Sequence, residues 1–163
     1  MAEGEFADVR NHLEEALSHS AEWVGDHDLY AMLAEAAVGV ENLEVLKKYA
    51  PLAEETAVRY GHNLYQAIAN RSWGVAHRLA GEFSQAEERL NRALASFQGM
   101  GTHWQVGRTF VELGQLAHAR GELALAGDFF RKALVEFSSL AASNDMKQVN
   151  TLIEGLGDGK RED

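Results

Sequence analysis

Small and bulky apolar residues alternate along this chain in a pattern that returns at a fixed distance. In "HRLAGEFSQAEERLNRAL", residues 77–94, Gly81 is followed by Ala86, Leu90 and Ala93-Leu94; in "AHARGELALAGDFFRKAL", residues 117–134, Gly121 is followed by Ala126, Phe130 and Ala133-Leu134. The displacement is the same throughout, from 81 to 121 at the glycine and from 94 to 134 at the closing leucine. One copy sets Gly74, Gly81, Ala86 and Ala93 beside Trp73, Phe83, Leu90 and Phe97, and the next sets Gly114, Gly121, Ala126 and Ala133 beside Leu113, Leu123, Phe130 and Phe137. A fixed period of this size signals a repeat array. Gly and Ala let helix backbones approach while the large neighbours fill the remaining space. Gly81 and Gly121 fall where a turn between paired helices needs positive φ.

A weaker copy lies one step earlier, with Leu33-Ala34, Leu43, Leu46, Ala50 and Ala53, although its turn glycine has become Ala or Glu. Phe6, Leu13 and Leu17 match the second helix of a pair, and Met146, Val149, Ile153 and Leu156 match the first. The register predicts eight helices, near 4–18, 28–40, 43–60, 63–80, 83–98, 103–120, 123–141 and 144–156, with "FQGMGTHW" at 97–104 connecting two units. These form one domain over 1–156, followed by a tail, 157–163, expected to fray. Pro51 falls inside the third helix and predicts a kink; the alternative is a break, with 28–49 as one longer helix and Pro51 opening the next.

The spacing resembles the tetratricopeptide repeat, which places a bulky residue and Gly on the first helix, Gly at the turn, then Ala, a large residue and Ala on the second. Trp73-Gly74, Gly81, Ala86, Leu90 and Ala93 carry the resemblance, as do Leu113-Gly114, Gly121, Ala126, Phe130 and Ala133. Three features depart from the family. His77 and Ala117 stand where an aromatic is usual, the closing proline is missing, and the period exceeds the usual value of about 34. The longer period is similar to that of an extended variety in bacterial signalling proteins. The resemblance implies an all-α, right-handed solenoid of stacked antiparallel helix pairs whose first helices line a concave groove.

On the faces of those first helices that carry no packing residues, the chain places Ile68, Arg71, Val75 and Arg78, then Arg108, Glu112, Gln115 and His118. The earlier copy adds Asp28, Met32 and Glu35. Arginine suits carboxylates because its planar fork makes two parallel hydrogen bonds. The expected role is therefore a protein-interaction scaffold whose groove takes a peptide or helix of a partner protein, such as an acidic or C-terminal segment. The bland alternative is that these arginines pair with nearby Glu. The family's peptide clamp uses Lys and Asn where this chain has Arg71 and Val75, then Val111 and Gln115, which disfavours chaperone C-terminal tails as ligands. Two other functions remain open: a regulatory sensor of a signalling peptide or small molecule, and a homo-oligomerisation module, with a homodimer through Phe6, Val9, Leu13 and Leu17.

Composition narrows the remaining classes. The formal net charge of −10 argues against nucleic acid and anionic membrane as partners. Cysteine is absent, which removes disulfides and thiolate metal sites. The acidic "MAEGEFADVR" start does not read as a signal peptide, so a cytoplasmic protein is expected. The seven histidines include no His-Glu-x-x-His, and no pair shares one helix at a spacing of three or four, so no metal is expected. His27 in "GDHD" could hold an adventitious ion. Glu14-Glu15, Glu54-Glu55 and Glu87-Glu88 read as solvated helix faces. Asn70-Arg71-Ser72 is a chance glycosylation pattern, "GLGDGK" lacks the context of a phosphate loop, and no nucleophile motif occurs. The aromatics of the repeats read as core, with Trp23 and Trp104 near connections. Neither a cofactor nor catalysis is expected.

Overall fold

The computed structural model describes residues 3–19 and 26–158. The described residues form eight helices and no strand: α1 Glu3–His19, α2 Asp26–Gly39, α3 Leu43–Arg59, α4 Asn63–Leu79, α5 Phe83–Gly99, α6 His103–Ala119, α7 Leu123–Ser139 and α8 Ser143–Asp158. Trp23 and the tail from Gly159 lie outside the described residues, as does the side chain of His27. The chain divides into two compact units, Met1–Ala93 and Leu94–Asp163, with the boundary inside α5.

The connections after α2 are built alike. Glu41, Gly61, Gly81, Gly101, Gly121 and Ala141 all have positive φ. The N–H of each donates three residues back, as from Gly81 to the Arg78 carbonyl at 3.1 Å. The next N–H donates five back, as from Glu82 to the His77 carbonyl at 2.9 Å. This Schellman pair satisfies carbonyls that the ending helix leaves without partners. The same Glu82 then accepts from Ala86 at 3.0 Å, so one residue closes α4 and opens α5.

Between the helices expected at 83–98 and 103–120 the connection is short: α5 runs to Gly99, α6 starts at His103, and Met100–Thr102 form another turn of the common kind. The earlier copy had lost its glycine, yet Glu41 keeps the left-handed conformation at a φ of 52°. Pro51 sits within a continuous α3 on an exposed face, which rules out the break. "GLGDGK" is likewise consumed in part by α8, which continues through Gly155 to Asp158.

In the first unit α1 packs on α2, α2 on α3, and α4 on both α2 and α3. Its core gathers Phe6, Leu33, Ala34, Ala37, Leu46 and Tyr49 with Val75 and Ala76. α4 meets α5 through Gly74, where an added Cβ would stand 2.6 Å from Leu90 Cγ and 3.3 Å from the Ala86 carbonyl oxygen. In the second unit α7 packs on α6 and α8. Gly114 there lies close against the Phe130 ring, and a Cβ at Gly107 would come within 2.7 Å of Phe137 Cε1.

Two substitutions should move stability in opposite directions. Ala141→Gly relieves a left-handed alanine that costs roughly 1–2 kcal/mol, offset in part by the entropy of a more flexible unfolded chain. A net gain of about 0.5–1 kcal/mol in urea unfolding is expected. Gly114→Leu forces a side chain into the Phe130 ring and should cost about 1–3 kcal/mol or more. Parent-like melting of Gly114→Leu would show that this helix contact is misplaced.

Candidate functional site

The expected stripe of α4 is not a solvent-facing row of cations. Ile68 and Val75 are buried, and Val75 belongs to the core. Arg71 is fully buried, with 0% of its side chain exposed, and donates to Glu35 Oε1 at 2.6 Å. Arg78 keeps 8% of its side chain exposed while donating to Glu41 Oε1 at 2.7 Å; Glu41 keeps 49%. In both pairs the guanidinium is the inner member and the carboxylate the outer. Another tie joins α4 to α2: a hydrogen bond with Asp28, reinforced by burial and by the carboxylate's charge, pushes the Tyr65 hydroxyl up to about 12.

The physical reason is that α4 has neighbours on two sides. It meets α5 at Gly74 and also packs on α2, and long polar side chains between α2 and α4 must carry their partners into the seam. Met32, on α2, remains exposed.

The α6 stripe, in the second unit, is more open. Arg108 is half-buried, with its guanidinium carbon 4.8 Å from the centre of the Trp104 ring, and Trp104 stays 42% exposed. Glu112 is buried, Gln115 is half-buried and His118 is exposed. The Gln115 side-chain oxygen is sealed from solvent without a hydrogen-bond partner. Sequence reasoning sets Trp104 near a connection and misses its pairing with Arg108, although their spacing of four residues on one helix signals it.

Other candidate groups divide between structural and solvated roles. Glu15, Glu55, Glu87 and Glu88 are exposed, but Glu14 and Glu54 are not solvated bystanders. Glu54 accepts from the Trp73 indole at 2.8 Å and from Arg89 at 2.6 Å. Glu14 accepts from the Tyr49 hydroxyl and, at 3.0 Å, from Lys48. Those bonds hold its carboxyl below the usual carboxylate range. Asn70 lies inside α4, its amide donating to the Gln66 carbonyl and accepting from Arg89, and Ser72 is buried. Glycosylation there would require α4 to unfold.

His77 pairs with Glu82 at 2.6 Å, His103 with Glu136 at 2.8 Å, and the His62 ring lies tilted against that of Tyr65, 4.2 Å between centroids. Among the described residues no three metal-ligating side chains converge, and no helix is long and apolar enough to cross a membrane. Compared with protein-family models and with curated proteins, the chain matches none.

Arg71→Ala should therefore act on stability. It would leave Glu35 without its buried counter-ion, at a cost of about 3 kcal/mol. For a chain of this length that corresponds to a melting point lower by roughly 6–12 °C. An unchanged melting point would mean that the Arg71–Glu35 seam contributes nothing to the first unit.

Proposed function

We propose that this chain is a non-catalytic protein-interaction module of the tetratricopeptide type, and that the first-helix face of α6 takes a segment of a partner protein. The observation that carries the reading is the Trp104–Arg108 pair: a tryptophan left 42% exposed with a guanidinium 4.8 Å from its ring centre. Trp and Arg are the side chains that most often dominate binding energy at interfaces, because a rigid aromatic surface and a planar donor fork need little ordering when a partner arrives. The guanidinium favours a carboxylate, from an acidic side chain or a chain terminus. His118 extends the same helical stripe, ten residues or about 15 Å beyond Arg108. This reading moves the binding role away from Arg71 and Arg78, whose guanidinium groups already tie α4 to α2 and to the turn that follows it. It rests also on the resemblance carried by Gly74, Gly81, Gly114 and Gly121, since in that family first helices line the ligand groove.

A fluorescent peptide library ending in Asp or Glu tests it. Binding is expected to weaken with added salt, since part of the attraction is between exposed charges. Trp104→Ala and Arg108→Ala should each weaken it by roughly 30-fold or more, as expected of side chains worth about 2 kcal/mol, with unchanged helicity. Peptides that bind both variants as tightly as the parent would place the binding surface elsewhere.

A further inference from the structure

α1 is fastened to the first unit differently from the helices that follow it. Among the α1 residues whose burial is described, Phe6 alone is buried; Leu13 and Leu17 pack half-buried against the same core, and Val9 is exposed. By contrast α3 buries Val45, Leu46, Tyr49, Ala50, Ala53 and Ala57. Phe6, Leu13 and Leu17, at spacings of seven and four, form one face. Beside that face Glu14 accepts from Tyr49 and Lys48, both on α3. A 17-residue helix with so little described buried surface is marginal by itself, and among the described contacts that hold it are the Phe6 anchor, the half-covered Leu13 and Leu17 and the Glu14 carboxylate. Elements held in this way open without global unfolding.

We propose that α1 opens as a unit while α2, α3 and α4 stay folded, and that the surface it uncovers takes the α1 of a second copy. The occupant follows from complementarity already visible within one chain. The surface offers an apolar seat for Phe6 in the cluster of Leu33, Ala37, Leu46 and Tyr49, and a paired ammonium and hydroxyl for a carboxylate eight residues further along. α1 carries the matching phenyl ring and carboxylate, Phe6 and Glu14, in register. Exchange between copies would form the same contacts as in the monomer, so its intrinsic energetic cost is small. The dimer inferred from the Phe6, Val9, Leu13 and Leu17 stripe thereby changes character. Phe6 is engaged in the core, and association requires exchange of α1 rather than an added contact on its outside.

Native-state amide exchange on the full chain reads the opening, and a labelled synthetic peptide of residues 3–19 reads the uncovered surface. The α1 amides should exchange at least about 100-fold faster than the α3 core amides. Phe6→Ala should accelerate α1 exchange by a further ~100-fold, and the milder Glu14→Gln by about fivefold, with α3 protection retained. The peptide should bind the Phe6→Ala and Glu14→Gln proteins at least several-fold tighter than the parent, whose own α1 competes. Exchange of α1 at the α3 rate would overturn the opening. Failure of both variants to bind the peptide, with α3 still protected, would overturn the docking.

Discussion

A single residue that both ends one helix and begins the next is the constraint on which the rest depends. At 42, 62, 82, 102, 122 and 142 the N–H donates back to the helix just finished, while the carbonyl accepts from the first turn of the helix to come. The left-handed residue immediately before each one reverses the chain. With three residues between helices, the helices from α3 to α7 are all 17 residues long, about 25 Å each. The backbone turns thus recur at 61, 81, 101 and 121, half the interval at which the side chains repeat. Successive helices alternate in role because their small and large positions alternate, while their turns are the same.

That regular frame dictates where close approach is possible. Gly74 and Gly114, one side-chain period apart, each meet the large residue of the following helix, Leu90 and Phe130. Gly107 does the same for Phe137. A methyl group at any of the three would overlap its neighbour, so the distance between helix axes is set by the absence of a Cβ rather than by any attractive pair. Polar groups then adapt to the spacing. In the first unit Arg71 and Arg78 reach carboxylates 36 and 37 residues back, close to one helix-pair period, because the seam they close lies between α2 and α4.

The parts of this architecture that are legible in the sequence are those where chemistry is local. Helix ends fall within about two residues of their expected places because turn glycines and the small–large pattern mark them directly. Gly61 and Gly101 carry the same turn as Gly81 and Gly121. Glu41 reads as a lost glycine, because a residue name does not reveal that neighbouring hydrogen bonds hold its φ positive. The burial of the α4 stripe is hidden for a different reason. A helical face lacking the packing motif reads as solvated, but a helix within an array is covered on more than one side, and Arg71 lies on a covered side. The roles of Glu14 and Glu54 are hidden likewise: their partners Tyr49, Lys48, Trp73 and Arg89 come from other helices.

The positions that do not repeat separate the two units chemically. Sites 35, 75 and 115 occupy one register in successive copies and hold Glu, Val and Gln; sites 38, 78 and 118 hold Val, Arg and His. In the first unit these residues turn inward, as a carboxylate for Arg71, core side chains and a buried guanidinium, and their chemistry is spent on joining α2 to α4. In the second unit the corresponding Gln115 and His118 are half-buried and exposed, and the stripe begins with an indole open to solvent. An unchanged backbone register therefore buries these positions in one unit and leaves them more open to solvent in the other. The difference lies in which side chains fill the repeated positions. Arg71 answers a carboxylate carried by the preceding first helix, and the Arg108 guanidinium lies over the Trp104 ring of its own helix, a residue that stays within reach of solvent.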